Sequence, residues 1–254
     1  MTLIVGAIDG DSVTVTGDTK LTYDDDGIRS ARLFDEAFPK VVLLRDNLAI
    51  GVAGEGPERI VEDLMYLRDA ELFDVLGHLR AERDGDFVVG VLNPARLYEV
   101  RDGHITPIDA PRHAWAGDGH AFDDFEKLAA RWPSEVDEFT RLKTSMDQAV
   151  SPLGRVKSVG GFGITARAEQ GAFRFIPTQF TIFGTDNLFD TFEGQVLPGA
   201  GSTPGAVGIY VSRAGVGRLF THQRPFEGHK IVSPDRATFT AIALHEYGQT
   251  LFTW

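Results

Sequence analysis

The chain has 254 residues, 43% of them hydrophobic, with a formal net charge of −12 and no cysteine. That length and apolar content can bury a large core within one domain, while the acidic balance argues against a nucleic-acid surface or an anionic membrane as partner. Without cysteine there is no disulfide, thiolate metal site or cysteine nucleophile, so covalent chemistry falls to Ser, Thr or Lys. No run reaches the roughly 18 apolar residues of a spanning helix and the start lacks a signal-peptide pattern, which points to the cytoplasm.

Residues 3–8 and 12–17 read as a hairpin about Asp9-Gly10-Asp11, because Ile4 and Ile8, then Val13 and Val15, alternate with smaller or polar residues. The acidic stretch Tyr23-Asp24-Asp25-Asp26-Gly27 reads as an exposed loop. "KVVLLRDNLAIGVAG", from Lys40, supplies two further strands about the turn Arg45-Asp46-Asn47. Gly54-Glu55-Gly56-Pro57 ends them and puts a proline in a first helical turn, after which Ile60, Val61, Leu64 and Leu67 recur at helical spacing. A second short helix is expected near 71–83. "DFVVGVLNPARLYEVRDGHITPI" gives three strands, turning at Asn93-Pro94 and Asp102-Gly103.

Helical spacing returns with Phe122, Phe125, Leu128 and Ala129, and again after Ser134, which can cap a helix to about Val150. "GGFGITARAEQGAFRFIPTQF" forms a hairpin at Gln170-Gly171. Beyond it, 206–211 and 216–221 read as strands around a turn in "SRAGVGRLF", and 237–244 as a strand or a short helix. Helix pairs between blocks of strands do not suit a doubly wound parallel sheet. They predict an α+β fold with two antiparallel sheets and helices outside, a four-layer α/β/β/α sandwich. Residues 1–180 form that domain, and 181–254 form a C-terminal extension packed on it.

Several intervals carry chemistry. Thr2 is followed sixteen positions later by Asp18, in Asp18-Thr19-Lys20, and Lys40 is followed fourteen positions later by Gly54. Together with "FVVGVLNPARLYEVRDGHITPI" and the Gly-rich "AWAGDGHAF", they make residues 2 to about 180 resemble the proteasome β-subunits and related bacterial ring proteases, which are N-terminal nucleophile hydrolases. The resemblance implies a threonine-type peptidase or amide hydrolase in which removal of Met1 frees Thr2 as nucleophile and, through its α-amine, as base. Lys40 and Asp18 are the implied activators, and the Gly54 N–H is the implied oxyanion donor.

An N-terminal threonine brings its own base, an α-amine that ordinarily titrates at about pH 7.7–8.0. A neighbouring lysine lowers the effective pKa of the hydroxyl, and a buried aspartate holds that lysine. Residue 2 is small enough for methionine aminopeptidase to remove Met1. Taken singly, Thr2 also suits a plain strand, Asp18 a turn cap and Lys40 a solvated strand start.

The same resemblance places the backbone of Thr22 against an extended peptide, with Leu21, Val52 and Gly56 lining the pocket before the cleaved bond; Leu21 and Val52 equally suit core packing. Two departures stand out. The family's serine between two glycines is Asp118 here, in Gly117-Asp118-Gly119, where a carboxylate would raise the pKa of the amine or itself transfer protons. The family's Asp-x-x-Ser-Gly-Gly corresponds to Val156-Lys157-Ser158-Val159-Gly160-Gly161, with Ser158 or Asp147 as substitutes.

The histidines show no paired metal spacing; His113 and His120 flank Asp118 in solvated or packing roles. Gly199-Ala200-Gly201-Ser202-Thr203 lacks the lysine and following helix of a phosphate loop, so no metal or organic cofactor is expected. The expected partners are a peptide or amide substrate and further copies of the chain in a ring-like homo-oligomer. A regulatory ATPase leaves no mark in the sequence. The alternative is a non-catalytic scaffold subunit with the same fold, which Asp118 and Val156 favour.

Overall fold

The alternation at the start of the chain becomes a hairpin: β1 (Leu3–Asp9) and β2 (Ser12–Asp18) pair antiparallel, with Ile4 opposite Gly17 and Ile8 opposite Val13. The computed structural model describes residues 2–20, 38–151, 156, 158–183, 191–200 and 205–253. Leu21, Thr22, the acidic stretch 23–27 and residues 201–203 lie outside the described residues.

The next segment runs β3 (Val41–Arg45), β4 (Leu48–Gly54), α1 (Pro57–Tyr66), α2 (Leu72–Ala81), β5 (Gly85–Val91), β6 (Arg96–Arg101) and β7 (His104–Ile108). Then follow β8 (Ala114–Gly117), α3 (Gly119–Ala129), α4 (Glu138–Ala149), β9 (Gly163–Glu169) and β10 (Ala172–Phe175). The chain closes with β11 (Thr178–Phe183), β12 (Thr191–Pro198), β13 (Val207–Val211), β14 (Val216–Thr221), β15 (Arg224–Val232) and α5 (Arg236–Tyr247).

Among the described residues the strands form three antiparallel sheets. The first is ordered β10-β9-β2-β1-β8, the second β3-β4-β5-β6-β7 and the third β11-β12-β13-β14-β15. Two sheets were expected, so the third corrects that expectation; it begins at Thr178, before the boundary drawn at 180. Residues 237–244 resolve as helix, because Asp235 accepts from the Thr238 N–H at 2.7 Å and Gly248, at φ 66°, ends the last turn. The helix expected from Ser134 begins four residues later, where Asp137 accepts from the Thr140 N–H at 3.0 Å. "AWAG" is not only an approach to α3: it is β8, which pairs with β1.

One apolar cluster contains Ile4, Val13, Ile164 and Phe173 of the first sheet together with Val41, Ala49, Val88 and Leu97 of the second. A second joins Leu48, Ile50 and Val89 to Ile60 and Leu64 of α1 and Val75 and Leu79 of α2. A third joins Leu3 and Val5 to Phe125 of α3 and Leu142 and Met146 of α4. The first two sheets thus share one apolar cluster, and each contributes to a further cluster with a pair of helices. The third sheet enters the first of these clusters through Phe180, Val196, Ile209 and Phe220. Its Tyr210, Leu219 and Ile231 meet Phe239 and Ala243 of α5 in a cluster of their own.

Candidate active site

The hairpin brings Thr2 and Asp18 side by side: the Leu3 N–H donates to Asp18 Oδ1 at 3.1 Å, and both Thr2 and Asp18 are buried. Lys40, just ahead of β3, has only 1% exposure and directs its Nζ into this corner. It donates to Thr2 Oγ1 at 2.7 Å, to Asp18 Oδ1 at 3.0 Å and to the Lys20 carbonyl. An ammonium has three protons, and here each has an acceptor. Burial lowers the Lys40 pKa, and the neighbouring Asp18 carboxylate opposes that shift.

The remaining walls come from two glycine-containing turns. The Asp118 N–H donates to the Thr2 carbonyl at 2.7 Å. At Gly117, with φ 100°, a Cβ would lie 2.0 Å from that same carbonyl oxygen, so only glycine lets β8 approach so closely. Asp18 Oδ2 accepts from the Gly160 N–H at 3.2 Å, and Thr19 Oγ1 both donates to the Phe162 carbonyl and accepts from its N–H at 3.2 Å. The segment between α4 and β9 is thereby tied to the end of β2.

Gly54 ends β4 with its backbone exposed and φ 139°; a Cβ there would lie 2.1 Å from the Asp84 carbonyl oxygen. Ala53 beside it reaches the Thr2 corner, its Cβ 3.3 Å from where a Gly117 Cβ would stand. Val52 is fully buried in the cluster under α1 and α2, and Gly56 is the exposed, left-handed N-cap of α1.

Asp118 is the N-cap of α3: Oδ1 accepts from the N–H groups of His120 and Ala121 at 2.9 and 3.1 Å. Its Oδ2 accepts from the Ser158 hydroxyl at 2.5 Å. Burial alone would raise its pKa, but these donors together outweigh burial and hold the carboxyl below its ordinary value. The two departures seen in the sequence therefore meet in space. Asp147 is not part of this contact; it is ion-paired along α4 with Lys143 at 2.6 Å. Asp-Gly-His-Ala ahead of a helical pattern is an N-cap signal and could have exposed the role of Asp118, whereas nothing local announces Ser158 as its partner.

His113 sits apart from this corner. Nδ1 meets Glu126 of α3 at 2.6 Å and Nε2 meets Glu138 of α4 at 2.7 Å. Burial opposes its protonation, yet the two carboxylates prevail and raise its pKa to about 9. Among the described residues no group of three or more His, Asp or Glu could hold a metal ion, and no helix is long and apolar enough to cross a membrane.

No family profile matches the sequence, and no curated protein matches it either. The structure is similar to the crystal structure of eukaryotic HslV from Trypanosoma brucei, with a TM-score of 0.50 at 15% identity, covering 66% of this chain and 99% of that one. The chain has the proteasome-like HslV fold. Nearly the whole HslV chain is thus accounted for by two thirds of this one. The remaining third is additional to the HslV fold.

Proposed function

We propose that the chain is an N-terminal threonine peptidase or amide hydrolase of proteasome-like type, with Thr2 as the nucleophile once Met1 is removed. The observation that carries this reading is the 2.7 Å contact from Lys40 Nζ to Thr2 Oγ1, with Lys40 held by Asp18 in a buried corner. A lysine that donates all its protons is not the base. It stabilises the forming alkoxide, which leaves the hydroxyl proton to the freed α-amine. The amine accepts that proton as Oγ1 attacks the substrate carbonyl, then delivers it to the leaving nitrogen; water completes the cycle by the same route. The Gly54 N–H serves the oxyanion.

Leu21, Thr22 and Gly56 would receive the substrate, a peptide or a small amide, with Val52 backing the pocket from the core. In this reading residues 1–180 are an α/β/β/α sandwich, 181–254 pack on it as part of the same unit, and the chain assembles in the cytoplasm into a ring-like homo-oligomer. A regulatory ATPase is compatible with it and has no assigned surface.

One observation favours the second reading, a non-catalytic scaffold subunit. Asp118 Oδ1 is taken up as the helix cap and Oδ2 accepts from Ser158, and these donors outweigh burial and hold the carboxyl below its ordinary value, so Asp118 is a poor base. The readings separate on hydrolysis of a peptide-amide panel by the purified chain and its Thr2→Ala variant. Catalysis requires activity in the first and none in the second, whereas a scaffold gives the same background in both.

A further inference from the structure

Strand β8 has only four residues and lies at the edge of the first sheet, yet its end delivers the Asp118 N–H to the Thr2 carbonyl. In an antiparallel ladder alternate residues turn their N–H and C=O groups toward the partner strand and away from it. Because Asp118 bonds inward to Thr2, the residues of β8 whose backbone groups turn away from β1 are Trp115 and Gly117. An edge strand leaves such groups without a strand to pair with.

Here three side chains of the second sheet meet them. The Trp115 N–H donates to Glu99 Oε1 at 3.0 Å, and the Trp115 carbonyl accepts from Arg101 Nη2 at 3.0 Å. The Gly117 N–H lies against the Asp86 carboxylate and favours its charged form. Glu99 and Arg101 are two apart on β6 and so project from one face. Arg101 Nε is 3.2 Å from Asp86 Oδ2, and Asp86 stands opposite Ala53, beside Gly54, in the β4–β5 ladder. The Arg101 guanidinium also lies 3.7 Å from the centroid of the Trp115 ring, which stacks on Phe122 of α3 at 4.8 Å. A row of charged side chains thus takes the place of a neighbouring strand, and it ties the end of β8 to the start of α3.

We propose that Glu99, Arg101 and Asp86 are positioning residues for Thr2. They fix the end of β8, and through the Asp118 N–H they fix the Thr2 carbonyl, so that Thr2 Oγ1 keeps its place against Lys40 Nζ. A half-buried ion pair such as Asp86–Arg101 is weak support for stability, but one that satisfies backbone groups sets where a strand ends. The three act through the backbone of β8 and not on the reacting atoms. Their effect on turnover rests on the hydrolase reading above, whereas their effect on β8 does not.

Two measurements test it. The first is amide hydrogen exchange followed residue by residue by NMR, which needs no turnover. Arg101→Ala is expected to speed exchange of the Asp118 amide at least about tenfold while the Ile209 amide of β13 stays within about twofold of the parent. Glu99→Ala leaves the Arg101–Asp86 pair intact, and it is expected to speed the Trp115 amide in the same way, so the test survives if Arg101→Ala does not fold. The second is steady-state hydrolysis. Arg101→Ala and Glu99→Ala are each expected to lower kcat at least about tenfold with KM within about twofold, and Glu99→Gln, which keeps an acceptor for the Trp115 N–H, to recover kcat to within about threefold. Unchanged Asp118 and Trp115 exchange, or a rise that Ile209 shares, overturns the proposal. Faster local exchange with kcat unchanged, or a loss of kcat that Glu99→Gln shares with Glu99→Ala, also overturns it and leaves the hydrolase reading standing. A parent that hydrolyses nothing overturns that reading and with it the effect on kcat, while the exchange result still decides whether the three residues hold Thr2.

Discussion

Lys40 holds the Thr2 corner together at the cost of burying a charge, and the fold offsets that cost with three acceptors and one counter-ion. Removing one partner of such a pair leaves the other charge buried alone. Lys40→Ala is therefore expected to destabilise the protein by about 3–5 kcal/mol, read from the shift of its urea midpoint, while Thr2→Ala, which leaves the Lys40–Asp18 pair intact, costs far less. Equal losses from both variants would contradict this. At Asp118 the cap predominates. Asp118→Ala should cost about 1 kcal/mol, whereas Asp118→Ser, another good cap, should stay within about 0.5 kcal/mol of the parent in the same assay.

The sequence displayed the Thr2–Asp18 and Lys40–Gly54 intervals because each follows from one hairpin whose turn sets the register. The Ser158–Asp118 contact was hidden, since it joins two segments through a packing that no local pattern encodes.

At the scale of elements, the His113 clamp between α3 and α4 gives the fold a pH dependence. The pKa of His113 is about 9 in the folded chain, above its ordinary 6.5. The folded state therefore binds the proton more tightly, and the stabilisation is fully present below about pH 6.5. It falls as the pH rises through about 9, where neutral His113 no longer pairs with both carboxylates. Thermal melts between pH 6 and 10 should show Tm falling across that window in the parent and a flatter profile in His113→Gln; parallel profiles would remove the clamp from the account.

Strong 2.0 and 3.6 periodicities made the elements of the first 175 residues legible, and the helix ends followed from caps, with Asp137 displacing Ser134 because its carboxylate reaches the Thr140 N–H. The third sheet was only partly legible. "TFEGQVLP" and "RPFEGHKIV" interleave glycine and charge with few apolar residues, because β12 and β15 are each only partly buried.

At the scale of the molecule, the third sheet shares a core with the other two. Phe180 stacks on Phe162 with ring centroids 3.7 Å apart, and Phe162 is hydrogen-bonded to Thr19 beside the Thr2 corner. Ending the chain at Ile176 would strip Phe180, Val196, Ile209 and Phe220 from that cluster and expose its apolar remainder. The truncated chain is expected to be insoluble or to lose cooperative unfolding; a soluble truncation that unfolds cooperatively at the parent Tm would instead make residues 178–254 a separate unit.

Whether residue 2 becomes a catalytic N-terminus is tested most directly by intact-mass spectrometry after treatment with an electrophile specific for N-terminal threonine. A catalytic Thr2 gives a chain that lacks Met1 and carries one adduct on Thr2, with no adduct in Thr2→Ala; a hydrolytically active preparation that retains Met1 and stays unlabelled would contradict it.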